Sequence, residues 1–183
     1  MFTALVADTP WPQKPGTRTA FGPFHGGADA RCIAELAQRD RLLVVVTADT
    51  SSALTLEREL PFYLDRDLDI LAFPDWETLP YDSFSPHQDI ISERLSTLHR
   101  LPALSAGILV VPVPTLMHRL PPTEYIAASS LVLAQGQSLD VESFRRNLER
   151  NGYRHVETVY EHGEFALRGA LFDIFPMGSN LPY

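Results

Sequence analysis

The sequence of 183 residues contains one cysteine, Cys32, and one lysine, Lys14. A single cysteine cannot form an internal disulfide, which excludes the small secreted domains that disulfides hold together. The longest purely aliphatic runs, at 42–46 and 108–111, are too short to cross a bilayer. No positive charge precedes Lys14, so the N-terminus does not resemble a secretory signal peptide. We therefore expect a soluble protein of the cytoplasm.

Positive charge is also scarce. Fifteen basic residues stand against 23 acidic ones, and the formal net charge is −8. Proteins that cover a phosphate backbone are usually basic, so this balance argues against non-specific nucleic-acid binding. Hydrophobic residues make up 45% of the chain, which is enough for one ordinary packed domain or slightly more.

From about residue 27 the sequence alternates between helix and strand patterns. Strands are predicted at 42–47, 68–73 and 107–113, and helices at 28–38, from Asp49 or Thr50 onward, at 88–100 and at 115–120. The first strand is a continuous β-branched run, which is typical of a strand covered on both faces. The order strand, helix, strand, helix, strand predicts a parallel sheet with crossover helices.

The pattern changes after Pro121-Pro122, the predicted domain boundary. A short strand at 130–134 and a turn at 135–137 lead to a helix that Ser138 or Asp140 caps. Its inward-facing residues are predicted to be Val141, Phe144 and Leu148, and Asn151-Gly152 ends it. Alternating segments at 155–160 and 164–175, joined by a hairpin at 161–163, complete a predicted α+β unit with an antiparallel sheet. Few residues follow, so we expect a fragment.

A parallel α/β unit raises the possibility of nucleotide binding. Gly26 and Gly27 precede the first helix, where a Walker A loop would lie, but no Gly-Lys-Ser/Thr follows them. Lys14 lies in a proline-rich lead-in, and Asp29 would repel phosphate. The sequence therefore predicts a degenerate P-loop position that does not bind nucleotide.

Two further patterns favour ordinary structural roles over specialised chemistry. Four residues could in principle ligate a metal, but the predicted hairpin scatters them over both sheet faces: His155, Glu161, His162 and Glu164. A strip of arginines could contact DNA, although glutamates interrupt it: Arg145, Arg146, Arg150 and Arg154. The aromatic and acidic loop at 75–86 has no Lys or Arg, so we expect it to pack against a neighbouring domain rather than to stack on bases.

Arg168 is the strongest candidate for a binding residue. In the run from Glu164 onward it alternates with Leu167, so its side chain should lie on the opposite sheet face, beside the small residues Gly169 and Ala170. An exposed guanidinium beside small residues is a good interface anchor, because it binds carboxylates bidentately. A pair within the sheet, with Glu164 or Asp173, is an equally good interpretation.

Three segments carry a family resemblance: DWETLPYDSFSPHQDIISERLSTL at 75–98, GYRH at 152–155 and EHGEFALRGALFDIFPMGSNLPY at 161–183. Together they resemble the N-terminal, UvrB-homology region of the bacterial transcription-repair coupling factors (Mfd). The last segment is also similar, more distantly, to the excision-repair helicase subunit UvrB. The resemblance extends from about residue 40 to the end of the chain.

The resemblance implies an architecture of three segments. Residues 1–25 are a poorly determined lead-in. Residues 26–121 correspond to the first part of a degenerate RecA-like α/β domain without a Walker A site, and residues 122–183 to the start of a small α+β domain like domain 2 of UvrB. In this family the small domain docks UvrA, the damage-recognition ATPase. The resemblance therefore implies that Arg168 binds UvrA, with Glu164, Phe165 and Gly169 beside it.

The implied function is a non-catalytic interaction module that recruits UvrA to RNA polymerase stalled at DNA damage. No cofactor is expected in this chain, because ATP and magnesium belong to a translocase motor further along the whole protein. RNA polymerase and DNA are expected to bind those later regions, and another domain of the same protein is expected to fold over the docking surface. The alternative is a nucleic-acid-binding or nucleotide-binding module of a DNA repair helicase.

Overall fold

A computed structural model describes the chain at residues 14–65, 67–79, 81–130, 133 and 135–183. The chain forms two compact units, each built from two stretches of sequence. The first unit comprises Met1–Ala72 and Leu104–Leu116, and the second comprises Phe73–Ala103 and Met117–Tyr183. Among the described residues, no helix is both long enough and apolar enough to span a membrane. The boundary at residues 121 and 122 stays a prediction.

The first unit contains a three-stranded parallel sheet. Its strands are β1 (Leu42–Thr47), β2 (Ile70–Ala72) and β3 (Gly107–Pro112), with β3 in the centre. Both outer strands run parallel to β3. The predicted α/β class, with a partial RecA-like parallel sheet and crossover helices, is confirmed.

Two helices cover one face of this sheet, α1 (Ala28–Ala37) and α2 (Thr50–Tyr63). The side chain of Asp49 accepts a hydrogen bond of 2.7 Å from the backbone N–H of Ser52, which confirms the predicted cap of α2. The core between the helices and the sheet consists of small and aliphatic side chains: Ala30, Ala37, Ala53, Leu56, Leu60, Ile108 and Val110.

The other face of β1 is exposed, although the sequence predicted a strand that is covered on both faces. Val44 and Val46 are 50% and 48% exposed, so β1 is not covered on both faces by the described residues. The reason is position: β1 is an outer strand, and α1 and α2 pack on a single face. The central strand β3, by contrast, is buried along its whole length. The helix that follows, α4, spans Val113–Leu116 rather than the predicted 115–120.

The described part of the second unit contains three α-helices, α3 (Gln88–Arg100), α5 (Thr123–Ser129) and α6 (Val141–Arg150). A 3₁₀ turn at Leu101–Ala103 follows α3. The bounds of α3 match the prediction, whereas α5 was not predicted. Asp140 caps α6, and Phe144 and Leu148 are buried as expected. Val141 is exposed, because the first residue of the helix lies beyond the packed face. The strand predicted at 130–134 lies largely outside the described residues.

A second, mixed sheet consists of β4 (Arg154–His155), β5 (Glu164–Arg168) and β6 (Leu171–Phe175), in that order. β4 pairs parallel to β5, and β5 pairs antiparallel to β6. The predicted hairpin at 161–163 and the predicted all-antiparallel sheet are therefore wrong. The loop at 156–163 is a parallel connection, and the hairpin turn is Gly169-Ala170, where Gly169 has φ +63°.

Candidate partner-docking site

Arg168 lies at the turn end of the β5–β6 hairpin. Arg168 pairs in register with Leu171, and Ala166 pairs with Asp173, so Arg168 and Asp173 share a sheet face. The guanidinium forms an ion pair with the carboxylate of Asp173, while 59% of the Arg168 side chain is exposed. Arg168 is therefore paired within the sheet, as the second interpretation predicts, and more than half of its side chain is exposed. Its role as an interface anchor stays a prediction.

Gly169 has no side chain, so the surface next to Arg168 is open. Its φ of +63° places it in the left-handed region that glycine adopts without strain. A Cβ at this position would meet no atom within 4 Å, so the space next to the turn is open. A partner can approach the backbone there as well as the guanidinium.

Phe165 is placed differently from Arg168. It is completely buried in a core with Phe144, Leu148 and Ile174. Its ring stacks on Phe172 at 5.7 Å between centroids, and on its other neighbour, His155, at 5.0 Å. Phe165 therefore has no surface to offer a partner in this structure, and its side chain fastens β5 to α6.

Glu164 is also buried, at 7% exposure, and it organises the loop before β5. Its carboxylate accepts hydrogen bonds from the backbone N–H groups of Tyr160 and Glu161, each at 2.9 Å. Arg154 donates to it at 3.0 Å and to Glu161 at the same distance. Burial opposes ionisation, but the two amide hydrogen bonds and the Arg154 charge outweigh it and lower the pKa of Glu164. The ionised carboxylate therefore holds the loop before β5 in place through these hydrogen bonds.

A groove of about 560 Å³ opens beside Arg168. It lies just beyond the end of β4, where the chain turns away from β5. Its lining comes from the end of β4, the loop after it and the second half of β5: His155, Val156, Glu157, Thr158, Leu167 and Arg168. Arg168 thus stands at one border of a concave surface.

His162 fastens the opposite end of β5 to other parts of the second unit. Its Nδ1 lies 2.8 Å from the carboxylate of Asp89 in α3, and its Nε2 lies 2.7 Å from the carbonyl oxygen of Ser179. The ring packs on Phe175 at 3.9 Å between centroids. Each ring nitrogen therefore lies within hydrogen-bond distance of an oxygen from a different part of the second unit.

The four residues considered as metal ligands are engaged in these other contacts. Glu161 and Glu164 bind Arg154, His162 binds Asp89 and Ser179, and His155 stacks on Phe165. In the part of the chain that the structure describes, no three His, Cys, Asp or Glu side chains converge on one point. The arrangement builds a scaffold for the hairpin.

Two of the four arginines considered for DNA contact form ion pairs with glutamates. Arg145 binds Glu149 at 2.7 Å and Glu142 at 3.3 Å, each within one turn of α6. Arg154 forms ion pairs with Glu161, which precedes β5, and with Glu164, the first residue of β5. These pairs reduce the positive charge that Arg145 and Arg154 could offer to a phosphate backbone.

The degenerate P-loop position lies in the first unit, before α1. Gly27 precedes the helix without a side-chain cap. A Cβ on Gly27 would lie 2.6 Å from the Tyr63 hydroxyl and 3.4 Å from the Glu59 carboxylate, so α2 side chains fill the space beside it. With Asp29 in the first turn, this helix end presents acids where a triphosphate would need cations.

One buried residue, Arg94 in α3, was not expected from the sequence. Its guanidinium lies 4.1 Å from the centre of the Phe73 ring and 4.0 Å from that of Trp76. It also donates a hydrogen bond to the Pro74 carbonyl. Burial lowers the pKa of Arg94, and the charge of Asp75 opposes that effect. Arg94 therefore fixes the start of the aromatic loop at 75–86, whose described tip is exposed.

Comparison with known proteins gives two findings. Residues 131–183, which contain α6 and the mixed sheet, match the UvrB interaction domain family. The chain is also 51% identical over 173 residues to the transcription-repair-coupling factor of Escherichia coli and 48% identical to that of Haemophilus influenzae. Each match covers 94% of this chain and 15% of the relative. The factor of Rickettsia bellii is 33% identical over 132 residues, 72% of this chain and 12% of that protein.

Proposed function

This chain belongs to the family of the transcription-repair-coupling factors, matching about 15% of their length, and on that premise we propose that it is a protein-interaction module that binds UvrA. Its binding surface is the turn end of the β5–β6 hairpin, with Arg168 as the anchor. Glu164 and Phe165 hold the hairpin in place, and Gly169 leaves room beside the anchor.

The observation that carries this proposal is the position of Arg168 within the matched domain. The match to the UvrB interaction domain covers the whole hairpin. Within that hairpin the apolar face is packed on α6, whereas the Arg168 side chain is 59% exposed at the free end. A rigid hairpin that presents one guanidinium is the type of arrangement that serves as an interface hot spot.

The chemistry of the anchor defines the surface that it fits. A guanidinium donates two parallel hydrogen bonds to one carboxylate, so an Asp or Glu of UvrA is the expected partner group. Asp173 already binds one edge of the guanidinium. This ion pair restrains the Arg168 side chain before the partner arrives, which reduces the entropy lost on binding.

In the whole protein this module would recruit UvrA to RNA polymerase stalled at DNA damage in the bacterial cytoplasm. We assign no catalytic role to the chain itself. The ATP- and magnesium-dependent translocase, and the contacts with RNA polymerase and DNA, would belong to other regions. Another domain of the same protein would cover the hairpin until UvrA is needed.

The direct test is the affinity of UvrA for variants of this chain. Arg168→Ala should weaken binding about 30-fold, which corresponds to a hot-spot loss of about 2 kcal/mol. Arg168→Glu should weaken it further, because it opposes the carboxylate of the partner. The matched control is Arg146→Glu, which makes the same charge change at an exposed position of α6. Isothermal titration calorimetry measures all four proteins.

Two results would contradict the proposal in different ways. If the unaltered chain does not bind UvrA, this chain is not a UvrA-docking module. If it binds and Arg168→Glu binds equally well, the surface lies elsewhere. Equal losses for Arg168→Glu and Arg146→Glu would show a general effect of net charge instead of an anchor.

A further inference from the structure

Only the first half of the β5 edge that faces β4 is hydrogen-bonded to a neighbouring strand in the described residues. The last backbone hydrogen bond between this strand and the β4 side runs from the Val156 N–H to the Phe165 carbonyl at 2.9 Å. β4 itself pairs with Glu164 and Phe165 alone. Beyond them, no strand among the described residues continues the ladder along this edge. The second half of β5 is therefore an open strand edge.

The direction of the backbone shows which residue faces this opening. The carbonyls of Gly163 and Phe165 accept hydrogen bonds from the β4 side, from Arg154 and Val156 respectively. Along a strand every second residue points its N–H and C=O toward the same edge. The next residue in that series is Leu167, so its donor and acceptor point toward the groove.

The groove and the open edge coincide. Leu167 lines the groove with residues of the departing chain on its far side, so there is space next to the exposed backbone groups. Open strand edges are templates for a further strand, and partner proteins use them by adding an extended segment. Here Arg168 follows directly, so a segment on the edge would also come within reach of its guanidinium.

We propose that an extended segment of the partner adds to β5 at this edge, pairing its backbone with Leu167 and placing an Asp or Glu side chain against Arg168. This inference rests on the proposed function and adds the manner of binding. The occupant is a polypeptide in β conformation that carries an acidic residue. The exposed guanidinium at the end of the edge favours an acidic strand over a neutral one.

The test separates the backbone of Leu167 from its side chain. Leu167→Pro removes the N–H donor, and proline suits this position because Ala166 is already extended and the N–H faces outward. Leu167→Ala keeps the donor and shortens the side chain. We expect Leu167→Pro to weaken UvrA binding about tenfold, the effect of one lost interface hydrogen bond, and Leu167→Ala to change it less than threefold. Thermal unfolding confirms that both variants fold.

A second measurement needs no variant. In the complex with UvrA, the amide hydrogen of Leu167 should exchange with solvent at least tenfold more slowly than in the free chain, while Arg146 in α6 should be unchanged. This result decides the question if Leu167→Pro does not fold.

The outcomes are distinct. If Arg168→Ala weakens binding but Leu167→Pro does not, and the Leu167 amide is not protected, strand addition is wrong and the proposed function stands. If both Leu167 variants lose affinity equally, the contact is a side-chain contact and the inference fails. If the free chain forms a dimer that Leu167→Pro dissociates, the edge serves a second copy instead, and the inference is again overturned.

Discussion

Glu164 shows how a residue chosen for binding can act through structure. It was predicted to contact the partner, yet its carboxylate is turned inward onto two backbone amides and Arg154. The sequence gives no sign of this, because the amides belong to a loop whose path depends on the parallel pairing of β4 with β5. Alternation alone was enough to place Arg168 on the face opposite Leu167, since that needs only the strand itself.

The buried carboxylate leads to a prediction about pH. Because the pKa of Glu164 is lowered in the folded chain, its ionised form adds stability above the pKa of an unfolded glutamate, about 4.3, and this is lost as the pH falls through the folded value. Glu164→Gln should therefore be about 1–3 kcal/mol less stable than the parent chain at pH 7. The difference should shrink as the solution is acidified. Urea unfolding at several pH values measures it.

The control for this experiment is Glu157→Gln. Glu157 is an exposed glutamate of the loop that follows β4. Its replacement should leave stability nearly unchanged at every pH. A Glu164→Gln variant that matches it, or whose deficit grows in acid, would show that the carboxylate does not stabilise the loop in its ionised form.

At the scale of elements, the sequence predicted the parallel sheet of the first unit and the ends of α3 and α6, but not the strand pairing of the second sheet. The ends of α6 are set by residues close to them in sequence. At its start the Asp140 side chain accepts a hydrogen bond from the Ser143 N–H, and Asn151-Gly152 ends it. The hairpin was predicted at 161–163 instead of at Gly169-Ala170 because both loops contain a glycine that can adopt positive φ, Gly163 and Gly169. Which of them turns the chain back is decided by whether β4 runs with β5 or against it, and that is a tertiary choice.

The hairpin turn can be tested by a residue that resists its backbone conformation. Gly169→Val should destabilise the chain by about 1–2 kcal/mol, because a β-branched residue is strained at φ +63° even though the space around it is open. Ala170→Val, one position later, is the matched control and should cost less. Thermal unfolding followed by circular dichroism compares them. Equal effects at the two positions would mean that Gly169 is not needed for the turn.

At the scale of the whole molecule, the second unit is discontinuous in sequence. Its α3 helix is separated from the hairpin by β3, yet Asp89 binds His162 and the Ser92 hydroxyl accepts a 2.8 Å hydrogen bond from the Gly178 N–H. Periodicity identified α3 as a helix but grouped it with the parallel sheet, because the contacts that assign it to a unit span more than 70 residues.

This arrangement predicts that residues 122–183 do not reproduce the stability of the unit. A piece of the chain limited to that range lacks α3 and both of its hydrogen bonds to the hairpin region. It should unfold at a clearly lower temperature than the 183-residue chain and with less cooperativity. Calorimetric melting of the two proteins decides the matter, and coincident, equally sharp transitions would contradict the prediction.

The chain crosses from one unit to the other three times, after residues 72, 103 and 116. During synthesis from the N-terminus, both stretches of the first unit have been made once residue 116 has left the ribosome, whereas α3 must wait for the hairpin, which emerges later. Nascent chains stalled between these points should carry a finished parallel sheet and an unprotected helix, so this interval is where chaperones and proteases would find the protein most accessible.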